Sequence, residues 1–167
     1  MSDDVSARWT LPLLQPGQAQ KEMAHNEALA VLDLLAHAAV LSASESSPPD
    51  HPAEGECWLI GDSPDGAWTG YAGHVAGWTT GGWRFVAPLD GMTLWAVAEG
   101  VHARRIEGAW LVGDLPVTRV TIAGDQVLGG REAAIADPVG GTIIDAESRI
   151  ALTAILTALR AHGLIEN

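Results

Sequence analysis

Between Asp65 and Asp125 the chain is cut by six turn-forming dipeptides: Asp65-Gly66, Gly81-Gly82, Asp90-Gly91, Glu99-Gly100, Glu107-Gly108 and Gly124-Asp125. Each supplies a residue that tolerates positive φ, which tight hairpin turns require. The intervals hold short β-prone runs: Glu56–Ile60, Ala67–Tyr71, Gly82–Ala87, Met92–Ala98, Val101–Ile106, Ala109–Val112 and Arg119–Leu128. Short strands at close turn spacing imply an antiparallel meander, folded as a small barrel or a sandwich.

Helical patterns flank this region. Residues 18–41 contain good helix formers and no Gly or Pro. The positions His25, Ala28, Leu32, Leu35 and Ala39 recur at 3-4-3-4 spacing. That stripe fits an amphipathic helix lying on a core. It equally fits a helix that self-associates about a symmetry axis. A second helix runs from an Asp145 cap to about Ala161, with Leu152, Ile155, Leu156 and Leu159 in one stripe. His162-Gly163 ends it, and the apolar Leu164-Ile165 beyond must pack on its own domain or on copies of itself.

The expected class is therefore α+β: N-terminal helix, Trp-rich antiparallel β meander, C-terminal helix. The expected segments are an arm and helix over 1–44, a Ser/Pro-rich linker over 45–55, a β domain over 56–130, and a loop with the last helix over 131–167. The arm, residues 1–16, reads as extended, and residues 131–142 read as a loop with Pro138 and Gly140-Gly141.

Charge narrows the partners. Nine Lys and Arg against 21 Asp and Glu give a formal charge of −12. Nucleic acid needs clustered cations, and the only adjacent basic pair is Arg104-Arg105. Anionic membrane surfaces are disfavoured for the same reason, and no apolar run approaches the ~20 residues of a membrane span. Met1-Ser2-Asp3-Asp4 opens no secretion signal, so synthesis in a bacterial cytoplasm is expected. Cys57, alone in the chain, sits in the apolar run Cys57-Trp58-Leu59-Ile60 and reads as a buried small hydrophobe.

Catalytic and cofactor motifs are not evident. The six His residues (25, 37, 51, 74, 102 and 162) never fall at close ligand spacing, so no metal site within one chain and no cofactor are expected. A threefold axis would convert His25 or His162 into three ligands. No Gly-x-Ser-x-Gly elbow occurs, and the glycine pairs Gly129-Gly130 and Gly140-Gly141 lack the Lys-Ser/Thr of a phosphate loop. Asp62, Asp65, Asp90, Glu99, Glu107 and Asp114 lie at strand ends, and two of them could pair for glycoside cleavage. Most stand directly before Gly or Pro, where turn formation accounts for them. No catalytic residues are assigned, and the chain is read as a non-enzyme.

Aromatic usage is skewed: seven Trp against one Phe and one Tyr. Trp68, Tyr71, Trp78 and Trp83 crowd into the stretch AWTGYAGHVAGWTTGGW. Flat aromatic rings stack on the apolar faces of sugars, and neighbouring glycines let a ligand approach the backbone. Those four residues are the candidate glycan-stacking set, and a Trp-rich core is the competing explanation. Trp58, Trp95 and Trp110, each inside an apolar run, fit the core.

The stretch Leu11–Asp33 is Pro-led and polar in its early turns (Gln15, Gln18, Gln20, Lys21, Glu22, His25, Asn26, Glu27). Further on come Gly55-Glu56-Cys57-Trp58-Leu59-Ile60, Gly66-Ala67-Trp68-Thr69-Gly70, Gly82-Trp83-Arg84-Phe85 and Pro88-Leu89-Asp90-Gly91. Together, over about residues 10–112, these resemble a family of uncharacterised domains from prophages and gene transfer agents of alphaproteobacteria, found in tail-fibre and spike proteins. The C-terminal stretch from Gly141 to Ile165 resembles segments that follow this domain in fibre proteins.

The resemblance carries no established catalytic residues. It implies a virion component of a tail fibre or spike, a homotrimer, and as partners other tail or baseplate proteins and host surface polysaccharide. Leu32, Leu35, Ile155 and Leu159 are the expected oligomerisation residues, with the helices near the threefold axis. An adaptor without glycan binding, a free carbohydrate-binding module and a glycan depolymerase are the alternatives.

Overall fold

The structure, a computed structural model, describes residues 5–15, 17, 21–137, 145–161 and 164–165. Those residues form two helices and nine strands in mostly antiparallel sheets, an α+β fold. The chain divides into two compact units, Met1–Asp114 and Leu115–Asn167. The division falls inside the stretch read as one β domain.

In the first unit, β2 (Cys57–Leu59), β3 (Val75–Thr79) and β4 (Gly82–Val86) form one antiparallel sheet in that order. The second sheet has the order β1-β5-β6-β7, with β1 (Ala39–Val40) parallel to β5 (Thr93–Ala96), followed by antiparallel β6 (Val101–Ile106) and β7 (Ala109–Val112). The chain from β1 onward joins the two. Val97 N–H donates to Val40 O at 2.9 Å, while Leu41 N–H donates to Cys57 O at 2.7 Å and Leu59 N–H to Ser42 O at 3.0 Å. Among the described residues no ladder joins β4 to β7, so the sheets are not a closed barrel. They share a core of Leu34, Val40, Ala43, Cys57, Leu59, Val75, Leu94, Ala96 and Ala103.

Several expected boundaries shift, each for a physical reason. Helix α1 is Lys21–Leu35, not a helix to residue 41, and residues 18–20 lie outside the described set. The chain leaves the helix through His37 at φ 46°. The helix's last carbonyls are taken by the arm: Arg8 Nη1 donates to Leu34 O at 2.6 Å and Trp9 Nε1 to Ala36 O at 2.9 Å. Such end groups need partners, and here they come from residues about 25 positions away. The described part of the arm folds back on itself rather than running extended. Val5 and Pro12 form an antiparallel bridge, and Ser6 N–H donates to Leu11 O at 2.9 Å.

Ala67–Tyr71, read as a strand, contains a 3-10 turn over Gly66–Trp68. The strand that replaces it, β3, contains Gly77 and was not anticipated. The stretch read as a linker is docked. Gly61 N–H donates to Glu45 O at 2.8 Å, Asp65 N–H to Ser46 O at 3.0 Å, and a Cβ at Gly66 would lie 3.3 Å from Pro48 Cγ.

In the second unit, β8 (Val120–Ile122) and β9 (Asp125–Leu128) form a hairpin through Ala123 and Gly124, both at positive φ. Helix α2 is Ala146–Ala161. Asp145 caps it: Oδ1 accepts Ser148 N–H at 2.9 Å and Oδ2 accepts Ser148 Oγ–H at 2.8 Å. The expected features at Pro138, Gly140-Gly141 and His162-Gly163 lie outside the described residues. Only Leu156 and Ile165 are buried among the described residues of this unit.

Candidate functional site

Three surfaces of the fold could carry function. The first is the aromatic face of β2-β3-β4. Alternation along the strands sends Cys57, Leu59, Val75 and Gly77 to the shared core. Trp58, Ile60 and Ala76 then pack together with Trp78, Trp83 and Phe85. Trp68 closes over this set at 0% exposure, edge-on to Trp83 with centroids 5.2 Å apart. Trp58 meets Trp83 at 5.5 Å and Trp78 meets Trp83 at 5.0 Å, both edge-to-face, the geometry that ring quadrupoles favour.

Trp68 therefore leaves the stacking set: its ring has no free face. Trp78 and Trp83 are half-buried. Tyr71 is 38% exposed and stacks on Phe85 at 3.8 Å and 9°, with His74 edge-on at 5.4 Å. The cluster is a small aromatic core whose outer rim is Tyr71.

The second surface lies on the other sheet and was missed. Leu94, Ala96 and Ala103 point to the core, so Thr93 and Trp95 on β5, and His102 and Arg104 on β6, face outward. Trp95 is 41% exposed, which corrects its assignment to the core. It stands directly across from His102, with ring centroids 5.0 Å apart and an interplanar angle of 75°. Thr93 stands across from Arg104. The Arg104 Nε is buried without a hydrogen-bond partner. The register was legible: Glu99-Gly100 makes the turn, and alternation from Leu94 and Ala103 places these four side chains together.

The third feature is the helix surface. On α1 the inward residues are Asp33 and Leu34, so the stripe His25, Ala28, Leu32 faces solvent, with Leu32 56% exposed and Leu35 half-buried. On α2, Ile155 is 55% exposed and Leu159 half-buried. A groove of ≈ 650 Å³ lies beside α1, lined among others by Met23, Glu27, Glu54, Thr80 and Arg84. Within it Arg84 Nε and Glu27 Oε1 pair at 2.5 Å.

Cys57 is buried, and burial pushes its thiol up to about 11, with Arg8 pulling the other way. A thiol so held is a poor nucleophile. Among the described residues, no three His, Cys, Asp or Glu converge as metal ligands, and no helix is long and apolar enough to cross a membrane.

These features define an α+β protein with an internal tryptophan cluster, an aromatic platform on one sheet and apolar helix faces left open. Residues 25–111, just over half of the chain, match the family described as Protein of unknown function (DUF2793), and the chain belongs to that family. No curated protein matches the chain.

Proposed function

We propose that this chain is a structural and receptor-binding component of a phage or gene transfer agent particle, part of a tail fibre or spike. In this reading it assembles as a homotrimer, contacts other tail or baseplate proteins and touches host surface polysaccharide. The particle context rests on the resemblance described above. The observation that carries the assembly role is the open apolar surface of the second unit: Leu115, Ile122, Ile150 and Ile155 are all more than half exposed. Among the described residues, a two-stranded hairpin and one helix with only Leu156 and Ile165 buried make no core of their own. Large apolar side chains left open in this number favour a protein interface, and copies of the same chain provide one by symmetry.

Native mass by light scattering tests the assembly. A trimer stable to dilution is the expected result. A monomer across a wide concentration range overturns it.

A second reading, an adaptor that docks other particle proteins without touching glycan, draws support from the burial of Trp58 and Trp68. Quenching of Trp fluorescence by acrylamide alone does not separate the two, because Trp9 and Trp95 are exposed in either case. Retention on immobilised surface polysaccharide does.

A further inference from the structure

The outward face of β5-β6 has a composition that neither packing nor the fold's own electrostatics uses. Trp95 presents an exposed ring with His102 edge-on beside it. Arg104 lies diagonally from Trp95, within the reach of long side chains across paired strands. The ion pairs Arg84–Glu27 and Arg160–Asp137 do not involve Arg104. The residues registered against it, Thr93 and Leu111, bring no carboxylate. In a chain with a formal charge of −12, a half-buried arginine without a counter-ion is out of keeping with its surroundings.

We infer that this face binds a carboxylate-bearing glycan, with a sugar ring laid on Trp95 and its carboxylate on the Arg104 guanidinium. His102 and Thr93 are placed to meet ring hydroxyls. The Arg fork matches a planar carboxylate in two parallel hydrogen bonds. One cation beside one aromatic ring suits a uronic acid, with one charge per sugar. A polyphosphate or nucleic acid would need several cations and would meet the repulsion of the whole chain. The inference rests on the polysaccharide reading and names the sugar class and the face.

The test uses the full chain and two probes of identical linkage: a short oligogalacturonate and its carboxyl-reduced, neutral counterpart. Binding is followed by calorimetry, with far-UV circular dichroism to confirm that each variant folds. The expected result is at least about tenfold tighter binding of the acidic probe, in line with the strength of hydrogen bonds to charged groups. Arg104→Gln should collapse that preference while keeping residual binding of both probes. Trp95→Ala should weaken both, and Tyr71→Ala neither.

An acidic preference that survives Arg104→Gln, or binding that depends on Tyr71 and not Trp95, overturns this assignment while the polysaccharide reading stands. If neither probe binds and immobilised surface polysaccharide also fails to retain the protein, both fall.

Discussion

Leu34 of α1 lies directly against Gly77 of β3: a Cβ added at Gly77 would come within 2.5 Å of both Leu34 methyl carbons. Leu34 is enclosed by the shared core and cannot swing aside. The helix therefore docks where the sheet has no side chain. Gly77→Ala should force α1 outward and cost about 1–3 kcal/mol. Leu34→Ala should cost about 3–5 kcal/mol through the cavity it leaves. The double variant should be more stable than the sum of the two losses, because the new methyl enters that cavity. Urea denaturation of the four proteins checks this, and simple additivity would refute the contact.

Asp33 should be needed to hold the arm. Its carboxylate is buried and accepts Ser6 Oγ–H at 2.6 Å, Trp9 N–H at 2.7 Å and Arg8 N–H at 2.9 Å. Asp33→Asn replaces one acceptor oxygen with a donor that faces another donor. A loss of about 2–3 kcal/mol is expected, since hydrogen bonds to charged groups are the stronger kind. Amide exchange at Arg8 and Trp9 should rise with it. Unchanged protection would show that the arm is held by its own bridge.

The strand-and-turn pattern was readable because it is local. The Glu107-Gly108 turn, with both residues at positive φ, separates β6 and β7 at the expected boundaries, Val101–Ile106 and Ala109–Val112. What was not readable depends on distant partners. Residues 36–39 are all compatible with a helix in isolation; distant partners end it, with the arm's Arg8 and Trp9 on its last carbonyls and β5 on Ala38 and Ala39. No strand was expected across Gly77, the residue of β3 against which α1 docks. Trp68 and Trp95 both lie among small or apolar residues, and their opposite exposures follow from register and from the 3-10 turn. Of the candidate stacking set, Tyr71 keeps the most exposed ring; the Trp95 platform was hidden by treating an apolar run as core.

Cys57 gives a prediction in alkali. Its thiol is pushed from 9.0 to about 11 by burial. The folded state holds the proton that the unfolded state releases, so stability is intact below about pH 9 and falls as pH rises from there towards 11. The loss amounts to at most about 3 kcal/mol. Urea midpoints measured from pH 8 to 10.5 should decline in the wild type and decline less in Cys57→Ala. Parallel slopes would assign the alkaline loss to other groups.

The cap of α2 gives the opposite sign. Asp145 is held below its ordinary 3.8 by the Ser148 backbone N–H, then by the Ser148 hydroxyl. A lowered carboxylate contributes above its unfolded pKa and loses that contribution as pH falls through the folded one. Helicity of α2 should therefore decay as pH drops below about 3.8. Asp145→Asn keeps a good cap without a titrating group, so its helicity should be flat over that range. Residue-level chemical shifts across α2 follow the change, and a decay of equal size in the variant would assign it elsewhere.

Assembly is the prediction with the widest reach. Leu32 and Ile155 are each more than half exposed, so neither supports the fold of its own unit. Leu32→Asp or Ile155→Asp should leave the circular dichroism of the folded chain unchanged and lower its native mass. Burying a leucine-sized side chain contributes roughly 1.5–3 kcal/mol, and a threefold interface loses that contribution in every copy at once. Dissociation at micromolar concentration is expected for either variant. A native mass that stays the same in both would place the interface elsewhere.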